Sequence, residues 1–259
     1  MVESMKSRFF LEIAYDGSSY HGWQIQINAM SVQEKLNQAL GTLLRKDVET
    51  IGAGRTDTGV HAQQLFVHFD ADRTGLVLDG NKFVHSLNSL LPPDIAAYRL
   101  YEVSNDAHAR FDAISRSYAY HTHFRKDPFK IKSSWLLRDI PDVDKMNAAC
   151  QFLLGKQDFG CFSKTHTQVF TNICTIAHAR WEWAAEGHLV FHITADRFLR
   201  NMVRAIVGTL LEIGLKDKDI NYLEEVIASK NRSKAGASVP AHGLYLTEVV
   251  YPYISNLKK

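Results

Sequence analysis

The chain has 259 residues, 46% of them hydrophobic and 22% charged, with a net charge of +2 and a pI of about 8.3. That length allows one large domain or two smaller ones around a sizeable core, and the balance is neither that of a disordered chain nor of a strongly basic one. No run approaches about eighteen consecutive apolar residues, which excludes a helical membrane span, and Met1–Arg8 lacks the apolar core of a signal peptide, so a cytoplasmic location is expected.

The first predicted strand is Phe9–Tyr15, closed by the turn pair Asp16-Gly17. A helix follows, its start marked by the capping box Ser31/Glu34 and its buried face by Val32, Leu36, Ala39, Leu40, Leu43 and Leu44. A short strand near Thr50, a Gly-rich loop and a strand at Leu65–Phe69 come next. A helix over Gly80–Leu91 ends before Pro92-Pro93, and the strand Ala97–Val103 completes the order β-α-β-β-α-β. The second half repeats it. Ser117–Phe124 reads as a strand with Tyr118, Tyr120 and Thr122 on one face, and Val143–Leu154 as a helix stopped by Gly155. Strands at Ile176–Ala184 and Leu189–Ala195 flank Glu186-Gly187. Helices at Leu199–Ile213 and Tyr222–Ala228 precede a last strand, Leu244–Tyr251. Two such passes predict an α+β protein of two ferredoxin-like subdomains around a cleft, residues 1–106 and 107–259, with the boundary within Ser104–Arg110.

Cys150, Cys161 and Cys174 are odd in number and have no C-x-x-C spacing, which argues against a disulfide framework or a zinc site; Cys150 falls on an apolar helical face and reads as core. His121 and His123 alternate in a strand but bring no third ligand, so no metal is expected. Between Arg110 and Arg138 seven basic residues (Arg110, Arg116, Arg125, Lys126, Lys130, Lys132, Arg138) stand against Asp112 and Asp127. This local excess suits a polyanion, and it suits a solvated charged loop equally well.

The densest chemical signal is Gly52-Ala-Gly-Arg-Thr-Asp-Thr-Gly-Val-His61. Its glycines allow tight or positive-φ backbone, yet the spacing fits neither a dinucleotide fingerprint nor a Walker loop. What remains is a polar loop presenting Arg55, Thr56 and Asp57. Taken alone, Asp57 reads more readily as a turn residue bonding its own backbone than as a catalytic group.

This run resembles the catalytic-aspartate motif of the transfer-RNA pseudouridine synthase A family. Four further segments resemble that family in order: Tyr15-Asp-Gly-Ser-Ser-Tyr-His-Gly-Trp-Gln24, Ala107-His-Ala-Arg-Phe-Asp-Ala113 with Arg116-Ser-Tyr-Ala-Tyr120, Phe198-Leu-Arg-Asn-Met-Val-Arg-Ala-Ile-Val-Gly208, and Gly236-Ala-Ser-Val-Pro-Ala-His-Gly-Leu-Tyr-Leu246. Ser238-Val239 depart from the family's usual Thr-Ala, and no catalytic position is lost.

The resemblance implies a cofactor-free isomerase that converts uridine to pseudouridine in the anticodon stem-loop of transfer RNA, at positions 38–40, and a homodimer that binds one RNA across two subunits. It makes Asp57 the nucleophile or charge stabiliser, acting at the ribose C1′ or the base C6 or assisting a glycal. Arg204 becomes the guanidinium that keeps this carboxylate ionised. Arg197, Arg200 and Arg204 would form one basic stripe of the helix beside Leu199, Met202, Val203, Ile206 and Leu210. Tyr118 matches the active-site tyrosine, able to stack on a flipped base and to take part in proton transfer at C5; Tyr120 shares its face and stays open as an alternative. Arg55 would enter the RNA helix or hold the extruded nucleotide, and Leu244 would pack against the uracil. Arg110, Arg116, Lys126, Lys130, Arg197 and Arg200 are the expected RNA contacts. A glycosidase would need a second catalytic carboxylate that the loop does not offer, and a silent RNA-binding module would have lost Asp57 or Tyr118.

Overall fold

In the computed structural model, residues 6–164, 171–216 and 218–254 are described. The chain forms two compact units. One runs to Ile114 and takes back the chain from Leu246; the other spans Ser115–Tyr245.

The first unit contains β1 (Lys6–Tyr15), α1 (Val32–Leu44), β2 (Ile51–Gly52), β3 (His61–Asp72), α2 (Gly75–Leu78), α3 (Gly80–Asn88) and β4 (Ile95–Val103). Strand order is β4-β1-β3-β2, each neighbouring pair antiparallel. This is the split β-α-β arrangement expected from two crossover helices feeding one sheet. The alternation of β1 sends Phe9 to one face, where Phe9, Phe69 and Phe83 of α3 stack at 5.9 and 6.1 Å. Leu36 and Leu40 of α1 and Leu87 of α3 are also fully buried. Phe10 points the other way and meets Tyr251 edge-on at 5.2 Å, as does Phe66. The returning segment therefore supplies part of this unit's core.

The helix expected over Gly80–Leu91 ends at Asn88 because that side chain leaves the helix for β4. Its amide donates to Ala97 O and accepts from Ala97 N–H, both at 2.8 Å, beside the register shift between Glu12 and Ile13. The second unit uses the same device: Asn147 brackets Trp181 N–H and C=O at 2.8 and 3.0 Å.

That unit contains β5 (Ser115–His123), β6 (Trp135–Leu136), α4 (Val143–Cys150), β7 (Gly155–Asp158), β8 (Ile173–Ala185), β9 (His188–Ala195), α5 (Met202–Leu215) and α6 (Tyr222–Ser229). The order β5-β9-β8-β7 is antiparallel throughout, with β6 parallel to β5. The expected helix to Leu154 is α4 followed by a 3-10 turn, Gln151–Leu153. A final strand, β10 (Leu244–Val250), starts in this unit and finishes in the first.

The units divide between Ile114 and Ser115, beyond the 106/107 boundary expected from sequence, and the chain from Leu246 belongs with the first. The reason is local. Residues 107–114 are bound to the first unit: Ala109 N–H donates to His68 Nδ1 at 3.1 Å, Ala107 O accepts from Arg8 Nη1 at 3.0 Å, and Ile114 N–H reaches Val250 O at 2.9 Å. No helix of the described residues is long and apolar enough to cross a membrane.

Candidate active site

Asp57 sits in the loop between β2 and β3, and the segment after β1 holds the backbone on both sides of it. Thr56 is buried; its hydroxyl lies 2.8 Å from Tyr15 Oη and its carbonyl accepts from Trp23 N–H at 3.3 Å. Asp57 O closes a turn by accepting Val60 N–H at 3.1 Å, and Gly59 N–H donates to Tyr20 O at 3.2 Å. Tyr20 is itself fixed by donating to Asp94 Oδ1 at 2.6 Å; burial and that bond push its phenol well above its ordinary range. Gly22, at φ +88°, lies so close that a Cβ on it would stand 2.3 Å from Thr56 O. Only glycine serves there.

The buried His61 begins β3. Its Nδ1 accepts from Gly17 N–H at 3.1 Å and has Asp16 Oδ1 at the same distance. The outcome is a half-buried Asp57 carboxylate on a backbone with little freedom, next to an exposed Arg55. A charged group held this way needs no reorganisation when charge develops opposite it.

In the second unit, Tyr118 of β5 is half-buried, its ring edge-on to Phe198 at 5.1 Å and 87°. Tyr120 is fully buried and donates to Pro240 O at 2.9 Å, with burial raising its phenol far above the usual range. Of the two tyrosines, Tyr120 is committed to the interior.

Arg204 lies in the first turn of α5. Its Nε donates to Val239 O at 2.7 Å while Val239 N–H returns to Arg204 O at 3.2 Å. The segment carrying Val239 lies directly on the helix: a Cβ on Gly208 would meet Ala237 O at 1.9 Å, and Gly236 N–H donates to Thr209 Oγ1 at 2.9 Å. Ser238 Oγ accepts from Arg232 Nη2 at 2.9 Å and from Asn201 Nδ2 at 2.6 Å. Leu244, just beyond, is buried.

The helical stripe of Arg197, Arg200 and Arg204 does not form. Helix α5 starts at Met202, and Asn201 is left-handed at φ 67°. Arg197 and Arg200 therefore lie on the irregular approach, half-buried and exposed respectively. The apolar pattern misled because Leu199, outside the helix, is buried anyway and donates its N–H to Met202 Sδ at 3.5 Å.

Among the other basic candidates, Arg116 Nη1 donates to Asp196 O at 2.8 Å, and Lys130 Nζ lies 3.8 Å from Asp127. Lys126 and Arg110 are exposed, the latter with its guanidinium 5.6 Å from the Phe111 ring centre. His121 Nδ1 faces His188 Nε2 at 3.0 Å while His123 turns to Ser134. No group of three or more His, Cys, Asp or Glu side chains able to hold a metal occurs among the described residues. All three cysteines are buried, which raises Cys150 and Cys161 to about 12 and Cys174 to about 11.

What sequence did not reveal is which residues hold others in place: Tyr15, Trp23 and Thr56 around Asp57, Phe198 against Tyr118, and Val239 and Arg232 around Arg204. All but Arg232 lie inside the five quoted motifs, so the motifs marked the segments without revealing which residues touch.

A family model described as tRNA pseudouridine synthase matches residues 149–252. A tRNA pseudouridine synthase A of Bacteroides fragilis is 51% identical over 95% of this chain and 96% of its own length. The protein of the same name from Porphyromonas gingivalis is 49% identical over 95% and 98%. A tRNA pseudouridine synthase A 2 from Clostridium perfringens is 38% identical over 93% and 98%.

Proposed function

This chain belongs to the tRNA pseudouridine synthase A family, and we propose on that ground that it isomerises uridine to pseudouridine in transfer RNA. Similarity at about half of all positions along nearly the full length carries this reading. The reaction breaks the N1–C1′ bond, turns the uracil and joins C5 to C1′; the proton on C5 leaves and N1 gains one. Atoms and electrons balance without an oxidant or a group donor.

Asp57 acts at C1′ or C6 as the carboxylate that opens the nucleoside. Its clamped loop supports this role, because a group that must meet one carbon atom gains from fixed placement. Tyr118 stacks on the uracil and takes part in removing the C5 proton. Arg204 supplies the positive charge that keeps the carboxylate ionised, and its bond to Val239 O restricts where the guanidinium can point. Arg55 holds the extruded nucleotide, Leu244 packs on the base, and Arg110, Arg116, Lys126, Lys130, Arg197 and Arg200 contact the RNA. The targets are the uridines of the anticodon stem-loop, and the working form is a cytoplasmic homodimer. Light scattering on a sizing column tests the dimer: a mass near 29.4 kDa at micromolar concentration rejects it.

The deciding assay uses transfer RNA tritiated at uridine C5. Wild-type protein releases tritium to water with no added cofactor. Asp57→Asn keeps the side chain's size and removes its charge, so turnover vanishes while folding and RNA binding survive. A well-folded Asp57→Asn protein releasing tritium at near the wild-type rate rejects the mechanism.

A further inference from the structure

Gly17 to Gln33 is a run without one Asp, Glu, Lys or Arg. Inside it, the turn between the isolated bridge partners Gln26 and Ala29 places Ile27 at its tip, 91% exposed. Ile25 and Met30, on either flank, are 46% and 41% exposed. Three large apolar side chains thus leave one short loop for water.

That loop is held by hydrogen bonds. Ile25 N–H donates to Gln33 Oε1 at 3.0 Å, and Gln33 Nε2 donates to Thr50 O at 2.6 Å. His21 N–H donates to Met30 O at 2.9 Å, and the Gln26 amide donates to His21 O. Asn28 takes a left-handed φ of 59°, which Asn tolerates, to complete the turn. The base of the loop is Gly22 and Trp23, which lie against the backbone of Thr56 and Asp57. The exposed tip is therefore built on the segment that clamps the proposed catalytic carboxylate.

We propose that Ile27 is a wedge that enters the base stack of the RNA beside the target uridine and favours its extrusion. This rests on the isomerase reading above. A uridine paired in a stem must leave its stack before chemistry. Apolar side chains inserted between base steps compensate for the stacking that is lost. A neutral tip meets neither repulsion from phosphates nor the desolvation cost of a charge. Ile27 is a positioning residue: it changes how readily the base leaves the helix, not the bond-making at C5.

The test compares two stem-loop RNAs tritiated at one uridine, in single-turnover release. In one the uridine is paired with adenosine; in the other it faces a mismatch and is already loosened. Ile27→Ser should slow the paired substrate by about tenfold or more, the scale expected on losing most of one buried aliphatic contact. It should leave the mismatched substrate nearly unchanged, and Ile27→Leu should restore the paired rate. Equal slowing on both substrates, or no slowing on either, overturns the wedge. So does a fall in oligomeric mass on Ile27→Ser with the ratio of rates unchanged, which would make the tip an interface between copies. Wild-type protein inactive on both RNAs would instead reject the isomerase reading itself.

Discussion

Replacing Gly22 by Ala perturbs the placement of Asp57 without touching its side chain. Two costs follow from the geometry. An alanine at φ +88° sits in the left-handed half of backbone space, at about 1–2 kcal/mol. Its Cβ would also lie 2.3 Å from Thr56 O, 0.7 Å inside the 3.0 Å that real contacts respect, and 3.1 Å from Asp57 C. Such overpacking costs about 1–3 kcal/mol more, giving a loss of roughly 2–5 kcal/mol. Gly187 isolates the first cost: it has φ +69° with nothing within 4 Å of a Cβ. Gly187→Ala should therefore lose about 1–2 kcal/mol, a fall in Tm of about 2–4 °C per kcal/mol for a chain of this size, with normal turnover. Gly22→Ala should lose more, and its kcat per folded molecule should fall by about a hundredfold, since Thr56 and Asp57 must yield by nearly an ångström. The assays are thermal unfolding by circular dichroism and tritium release at 25 °C. Equal Tm losses in the two variants, with full activity in Gly22→Ala, would refute the clamp.

Burial, with Arg8 and His108 adding to it, lowers His68 to about 4. The folded state binds this proton more weakly than the unfolded chain, so the stability tied to it is full above about pH 6.5 and is lost as pH falls towards 4, up to about 3 kcal/mol. His68→Gln, which cannot charge, should flatten the pH dependence of urea unfolding over that window; an unchanged slope assigns the dependence to other groups. Lys126→Glu should weaken RNA binding and reduce the log–log salt slope by about one; an unchanged slope makes Lys126 a solvated surface charge.

The elements with strong periodicity were legible in the sequence, and those made by tertiary contact were not. The capping box at Ser31 was readable because a cap is local, and Ser31 Oγ does accept Glu34 N–H at 3.3 Å. Strand β3 begins four residues before the predicted Leu65 because His61 and Ala62 are buried by neighbours far away in sequence. Strand β7, Gly-Lys-Gln-Asp, has no apolar alternation and exists through its pairing with β8. The irregular start of α5 hid behind an apolar pattern that runs through the turn. At the candidate site, the sequence marked the loop of Asp57 and the segments of Tyr118 and Arg204. It could not show that Tyr15 holds Thr56, 41 positions away, or that Val239 holds Arg204, 35 away.

The return of the chain at Leu246 makes the first unit depend on residues far along the sequence. Ser115–Tyr245 is continuous in sequence, whereas the first unit draws on segments that lie before and after it. Its Tyr251 ring, against both Phe10 and Phe66, comes from the later of those segments. The half that carries Asp57 therefore cannot complete its core from a shortened chain: one cut before Leu246 lacks the Tyr251 ring that Phe10 and Phe66 both meet edge-on.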